Sequence, residues 1–195
     1  MDKGRLNAML HYLKTIDGIE YYRFSPTLFK QYEACYSPEE TPHYWKRPIH
    51  RVRMLIEYLK TNYNVIYMQS DGVTVGHLVV ARGGLRLVVS TAADIVIGPI
   101  WVPPRCRNRG YASKGIAAVL HGLDIPYRHA YEFIDVNNAP SIATVQKNGF
   151  SLCFWAKEVG PLKRVVESEG GTWLVFRYPG DSPVSGTPSP SNEKS

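Results

Sequence analysis

Residues Asp94 to Leu120 read DIVIGPIWVPPRCRNRGYASKGIAAVL, and three successive textures in this stretch decide the fold. From Asp94 to Val102 most residues are β-branched or aromatic, Gly98 and Pro99 interrupt them, and Pro103-Pro104 ends the run, which predicts a strand that is irregular near its end. From Gly110 onward Ala112, Ile116, Val119, Leu120 and Leu123 recur at the spacing of one helical face, with Gly122 placed to close the helix. Between strand and helix lies an Arg/Gly-rich turn. Gly110 lets a ligand approach the main chain there, and the first amides of the helix, unpaired within it, donate outward to an anion. Arg105, Arg107 and Arg109 add positive charge beside them. The stretch makes a seat for a phosphate or diphosphate held chiefly by main-chain groups, although its spacing alone also fits a solvated turn.

Set between an apolar strand and an amphipathic helix, Val102-x-Pro104-x-x-Arg107-x-x-Gly110-x-Ala112 resembles the acyl-CoA signature of the GNAT superfamily of N-acetyltransferases. It is not a P-loop, since no Gly-Lys-Ser/Thr follows, nor a dinucleotide fingerprint, whose glycine spacing differs. Further on, Asn138-x-x-Ser141 followed by Lys147-x-Gly149-Phe150 resembles the second signature of that superfamily, in the style of ribosomal-protein-type and polysaccharide-associated amino-sugar acetyltransferases. Read physically, the same residues are a helix N-cap (Asn138), a first-turn proline (Pro140) and a C-terminal glycine (Gly149). The resemblance covers roughly residues 19 to 178. It implies an α/β fold of the α+β type, with a central mixed sheet flanked by helices and a splay between its fourth and fifth strands. It also implies acetyl-CoA as co-substrate and no metal. The cofactor would lie along Ile100, Trp101 and Val102, over Arg107, Asn108, Arg109, Gly110, Tyr111, Ala112 and Ser113, with Asn138, Ser141 and Lys147 on the pantetheine and pyrophosphate side.

The totals agree with such a domain. A chain of 195 residues, 44% hydrophobic and 12% aromatic, suits one folded domain and is too apolar for a disordered protein. The formal charge of +6 favours acidic partners, CoA among them. Basic residues are scattered rather than gathered into one run, so nucleic acid is not the expected partner. Cys35, Cys106 and Cys153 are odd in number and lack C-x-x-C spacing, which argues against a disulfide framework or a zinc site and fits a cytoplasmic protein. No stretch approaches the ~20 apolar residues of a membrane span. The oligomeric state stays open, a homodimer included.

In chain order, Leu6, Met9, Leu10 and Leu13 predict a short amphipathic helix over Arg5 to Ile16, so residues 1–18 read as a helical extension to a domain spanning 19–178. IEYYRF is the first strand, and Ser25-Pro26 looks like the start of a helix through about Tyr36. YSPEETPHYWKRP reads as an exposed loop before a helix over Arg51 to Leu59. NVIYMQ and VTVGHLVVA form a hairpin about Asp71-Gly72, and RLVVS is a short extended piece. His129 to Val136 is a strand reached by a right-handed crossover, and SLCFWAKEV and GTWLVFRYP are a final strand pair joined by a loop. Residues 179–195, rich in Pro, Ser and Gly, are expected to be disordered.

An amine must be neutral to attack a thioester, and with an alkylammonium pKa of ~10 a group is needed to take its proton. Asp94 is one candidate base, and Asp135 and Glu132 compete with it, each also readable as a turn or cap residue. His77 in its apolar strand reads as a satisfied histidine instead. A backbone amide near the irregular Gly98–Ile100 step would stabilise the oxyanion. The resemblance implies a tyrosine that protonates the leaving thiolate, but Val145 stands at that position. Either Tyr111 serves or the thiolate leaves unprotonated, which its pKa of ~8.5 permits. The resemblance also places Tyr36, His43, Tyr44 and Trp45 near the acceptor, against the plainer reading that such aromatics pin their loop to the core. The acceptor suggested is an amino sugar of surface-polysaccharide synthesis. A protein N-terminus, a polyamine or an antibiotic amine are alternatives, as is a module that binds CoA without turnover.

Overall fold

The computed structural model describes residues 10–33 and 35–180, without the side chain of Tyr44. Nine strands form one sheet: β1 (His11–Ile16), β2 (Ile19–Phe24), β3 (Asn64–Ser70), β4 (Val73–Arg82), β5 (Ile95–Trp101), β6 (His129–Asp135), β7 (Ser151–Val159), β8 (Arg164–Glu167) and β9 (Trp173–Pro179). Their spatial order is β1-β2-β3-β4-β5-β6-β9-β7-β8. All neighbours pair antiparallel except β5 and β6. Among the described residues four α-helices accompany the sheet: α1 (His43–Lys46), α2 (Pro48–Thr61), α3 (Tyr111–Ala117), which runs on as a π turn over Ala118–Gly122, and α4 (Ala139–Lys147), with a 3-10 turn at Pro104–Cys106.

Alternation along the strands assigns the helices to opposite faces. Ile66 and Met68 of β3, and Leu78 and Val80 of β4, pack in one cluster with Ile116 of α3 and Val145 of α4. Their neighbours Val65, Tyr67, Val79 and Ala81 pack with Met54 of α2 and Trp45 of α1. Gly115 lets α3 sit close on the sheet. A Cβ there would stand 2.7 Å from Leu78 Cδ2 and 2.8 Å from Met68 Sδ.

The expected mixed sheet with flanking helices is present, and several local expectations are corrected. The helix expected over Arg5 to Ile16 is instead β1 from His11 onward, while residues 1–9 lie outside the described residues. Asp17-Gly18, at φ 49 and 74, turns β1 onto β2, and Tyr12 meets Tyr22 across the pair with ring centroids 5.6 Å apart. Thus β1 belongs to the sheet rather than to a helical extension.

The helix expected from Ser25 through Tyr36 does not form among the described residues. Two tyrosines of the 63–67 region occupy its main chain. Tyr63 donates to Gln31 O at 2.9 Å, and Tyr67 both donates to Glu33 O at 2.8 Å and accepts from Glu33 N at 2.9 Å. Tertiary hydrogen bonds here override a local capping signal. The piece 86–90 makes only a bridge from Leu87 to Val165, and the loop expected between the last two strands contains β8. The expected disordered tail lies outside the described residues beyond Gly180.

Candidate active site

The parallel pair at the centre of the sheet comes apart. β5 and β6 are matched only at Ile95 with Ala130 and Val96 with Tyr131. Beyond them β5 carries an extra residue against β4, since Leu78 pairs with Ile100 but Val80 with Ile97. This bulge falls on Gly98-Pro99, where Gly98 adopts φ 121, a backbone that favours glycine. The strand bends there, and Pro99 offers no N–H to a neighbour. A cleft of about 1130 Å³ passes through the opening.

One wall is nearly continuous in sequence. Ile100, Trp101, Val102, Arg107, Asn108, Gly110, Tyr111, Ala112 and Ser113 line it, joined by Asn138, Ser141 and Lys147 from α4 and its cap. Gly110 has φ 77 and open space where a Cβ would stand. Among the described residues nothing accepts a hydrogen bond from the main-chain N–H of Asn108, Arg109 or Gly110. The amides opening α3 likewise have no helical partner. Arg107 donates from Nε to Val102 O at 3.2 Å and lies over the Trp101 ring at 5.4 Å. Asn138 caps α4 by accepting from Ser141 N at 3.3 Å. Arg109 is exposed and, unlike its neighbours, does not line the cleft.

Three carboxylates were candidates for the base, and they lie in different settings. Asp94 is fully buried at the joined end of β5, roughly 13 Å of strand from Gly98 at ~3.3 Å per residue. Its Oδ2 accepts from Thr91 N (2.8 Å) and Oγ1 (2.9 Å), and Arg128 and His129 approach at 3.2 Å. Burial raises its pKa, but the hydrogen bonds from Thr91 and Arg128 outweigh that and hold it below the usual value. Asp94 is a structural clasp outside the cleft, its oxygens engaged by Thr91, Arg128 and His129, and is not placed to act as the base. Asp135 lines the cleft, but its Oδ1 is taken by Asn137 N (2.9 Å) and Nδ2 (3.1 Å), a turn residue's arrangement. Glu132 also lines the cleft, is 5% exposed, and has an Oε1 that is buried without a hydrogen-bond partner. Burial pushes its carboxyl up to about 8.

The aromatic acceptor candidates are corrected. Tyr36 and Trp45 are core residues: Trp45 is fully buried, stacks on Tyr32 at 4.1 Å and on His77 at 4.3 Å, and Tyr36 Oη lies 2.8 Å from His77 Nδ1. His77 is thus a satisfied core histidine, its pKa lowered to about 3 by burial. A Trp ring gains more from burial than a loop can offer, so α1 packs inward. His43 is exposed and does not line the cleft, and the side chain of Tyr44 lies outside the described residues.

No motif in the sequence marks the opposite wall. His50 and Arg53 of α2, Arg86, Phe133, Glu158, Lys163 and Trp173 form it. These residues come from six separate segments with no motif among them, so only the folded sheet brings them together. Among the described residues no group of three or more His, Cys, Asp or Glu is placed to hold a metal ion. No helix there is long and apolar enough to cross a membrane.

A sheet that parts beside a bulged strand, with an open helix start on one lip, defines an acyl-CoA-type transferase fold. A model of the acetyltransferase (GNAT) family matches residues 26–150, and the chain belongs to that family. It is therefore an acyltransferase with acetyl-CoA as donor. An acetyltransferase from Salmonella typhimurium that modifies the N-terminal serine of the 50S ribosomal subunit protein L7/L12 shares the fold at TM-score 0.55 and 14% identity, over 88% of this chain and 100% of that one. The acetyltransferase from Agrobacterium tumefaciens str. C58 does so at TM-score 0.52 and 17% identity, over 86% and 93%. Among curated proteins none matches.

Proposed function

We propose that the chain moves an acetyl group from acetyl-CoA to a primary amine by direct attack in a ternary complex, with Glu132 as the base. The observation that carries this reading is the cleft through the opened β5–β6 seam, with an unpartnered carboxylate oxygen of Glu132 in its lining. The diphosphate rests on the amides from Asn108 to Ser113, and the pantetheine runs along Ile100 to Val102 past Asn138, Ser141 and Lys147. The thioester then reaches the seam from one face and the amine from the other. Ionised Glu132 takes a proton from the ammonium, directly or through water. The amine adds to the carbonyl carbon, and the oxyanion is met by main-chain N–H groups flanking Pro99, a contact of a kind that lowers a barrier by roughly 3 kcal/mol. Collapse breaks the carbon–sulfur bond, and the second proton that the nitrogen sheds as it becomes an amide passes to the departing thiolate or to solvent. Because Val145 is buried in the core, the thiolate leaves unprotonated or takes its proton from Tyr111 in the cleft wall.

For the acceptor we take a small amine, with amino sugars first. Trp173 and Phe133, with ring centroids 5.6 Å apart, offer aromatic surface at the mouth opposite the cofactor wall. We place the reaction in the cytoplasm, which the free thiols of Cys35, Cys106 and Cys153 support. Release of CoA thiol, screened over amino sugars, peptides and polyamines, tests the reading. Turnover of at least one class is expected. Silence across the panel, with acetyl-CoA at ~100 times its dissociation constant raising stability by about 2.7 kcal/mol, would leave a CoA-binding module without turnover.

A further inference from the structure

The acceptor wall carries more positive charge than its own acids balance. Arg86 has a side chain only 20% exposed, lies 4.7 Å over the Phe133 ring, and donates from Nη2 to Glu158 Oε1 at 3.0 Å. Its Nε is buried without a hydrogen-bond partner. Lys163 uses the other oxygen of the same carboxylate, Oε2, at 3.0 Å. Arg53, on the same wall, forms no ion pair among the described residues. Two cations therefore share one carboxylate, and a third has none within ion-pair distance among the described residues.

Two neighbouring titratable groups, His50 and Glu57, face the same arginines. His50 is pushed down to about 4 by burial and by Arg53 and Arg86, so it is neutral at pH 7 and records how close both guanidiniums are. Glu57 of α2 is raised by burial against the pull of the same two arginines. Burial also works against the charge on Arg86. Half-buried cations with open donors gain most from an anion that can supply charge and hydrogen-bond acceptors together. The CoA phosphates are assigned to the other side of the sheet, since Phe133 packs in a cluster with Val96, on the face opposite Ile95, Ile97 and α3.

Resting on the acetyl-transfer reading of this cleft, we infer that the acceptor is an anionic amine, whose carboxylate or phosphate sits on Arg86 and Arg53 with Lys163 at the rim. Arg86 and Arg53 are positioning residues for this substrate. They hold its anionic end so that the amine faces the seam.

Matched pairs test this by calorimetry on the full chain with saturating CoA, which permits binding without turnover. Glucosamine 6-phosphate is compared with glucosamine, and alanyl-alanine with its C-terminal amide. The anionic member of at least one pair should bind about thirtyfold more tightly than its neutral counterpart. Whichever pair shows the preference identifies phosphate or carboxylate. Arg86→Gln should remove most of it. Because that change also strips Glu158 of a partner, Arg53→Gln on half-exposed α2 is the second variant. It should reduce the preference about fivefold, raising KM for the anionic acceptor with little change in kcat.

Equal binding within both pairs, or an Arg53→Gln variant that weakens charged and neutral members alike, would overturn the inference and leave acetyl transfer standing. An intact anionic preference without thiol release from any amine would uphold the anion seat and defeat acetyl transfer instead.

Discussion

The two walls of the cleft are built in different ways. The donor wall is largely one run of chain, from β5 into the start of α3, and presents main-chain nitrogen. The acceptor wall gathers side chains from α2, Arg86, β6, β7, the turn at Lys163 and β9. A contact made by backbone needs only the right turn at the right place, whereas one made by side chains needs the whole sheet assembled. On the proposed reading, the donor requirement is therefore written locally, and acceptor choice is distributed over distant segments.

That contrast can be broken most severely at Glu132, which lies between the walls. Glu132→Gln is expected to lower kcat by about a thousandfold with acetyl-CoA affinity retained. Wild-type kcat/KM should rise with pH and level off above about 8, where the carboxyl ionises. A rate that falls above that pH would make Glu132 an acid rather than a base. The same group fixes a stability signature. Between its ordinary 4.5 and about 8 the unfolded chain is ionised while the folded chain keeps the proton, so stability falls as pH rises through that window. At pH 9 Glu132→Gln should accordingly be a few kcal/mol more stable than wild type in denaturant unfolding.

A local change on the donor wall comes next. Gly110→Asp puts a carboxylate where the diphosphate is to sit, and at φ 77 it also strains the turn. Acetyl-CoA affinity should drop on the order of a hundredfold by calorimetry. Unchanged affinity would displace the diphosphate from this turn.

The smallest effect on turnover should come from Asp94→Asn, which acts on neither wall. Losing its charge weakens the contacts to Arg128 and His129 and is expected to cost about 2 kcal/mol of unfolding free energy. kcat should change no more than a few fold. A collapse of kcat in a folded variant would return Asp94 to the chemistry.

Sequence legibility followed the same division. The bulge at Gly98-Pro99, the turn at Gly110 and the Asn138 cap each depend on residues close together in the chain, and each stands where expected. The strand status of His11–Ile16 was also signalled locally, by Asp17-Gly18, but an equally good helical spacing of leucines masked it. The residues from 25 to 36 gave no such signal. Among the described residues there, the main chain at Gln31 and Glu33 is held by hydroxyls of Tyr63 and Tyr67, more than 30 positions away. Trp45 and Tyr36 fill the core rather than a mouth for a related reason, since which of the two an aromatic side chain does depends on the surface opposite it. His50, Arg53 and Arg86 were invisible because nothing in a linear chain marks them as neighbours.

The seam has one mechanical consequence. Two backbone pairings tie β1–β5 to β6–β9 across β5 and β6, and Asp94, through Arg128 and His129, grips that same end. Leu87, before β5, also bridges to Val165 of β8, so the half-sheets are held like covers bound at a spine, with the free edges of the seam spread. Ile97 to Trp101 carry the strand about 16 Å past the binding, so tilting one cover by ~5° moves its edge by about 1.4 Å. A tilt too slight to notice at the spine would thus widen or narrow the opening at its mouth.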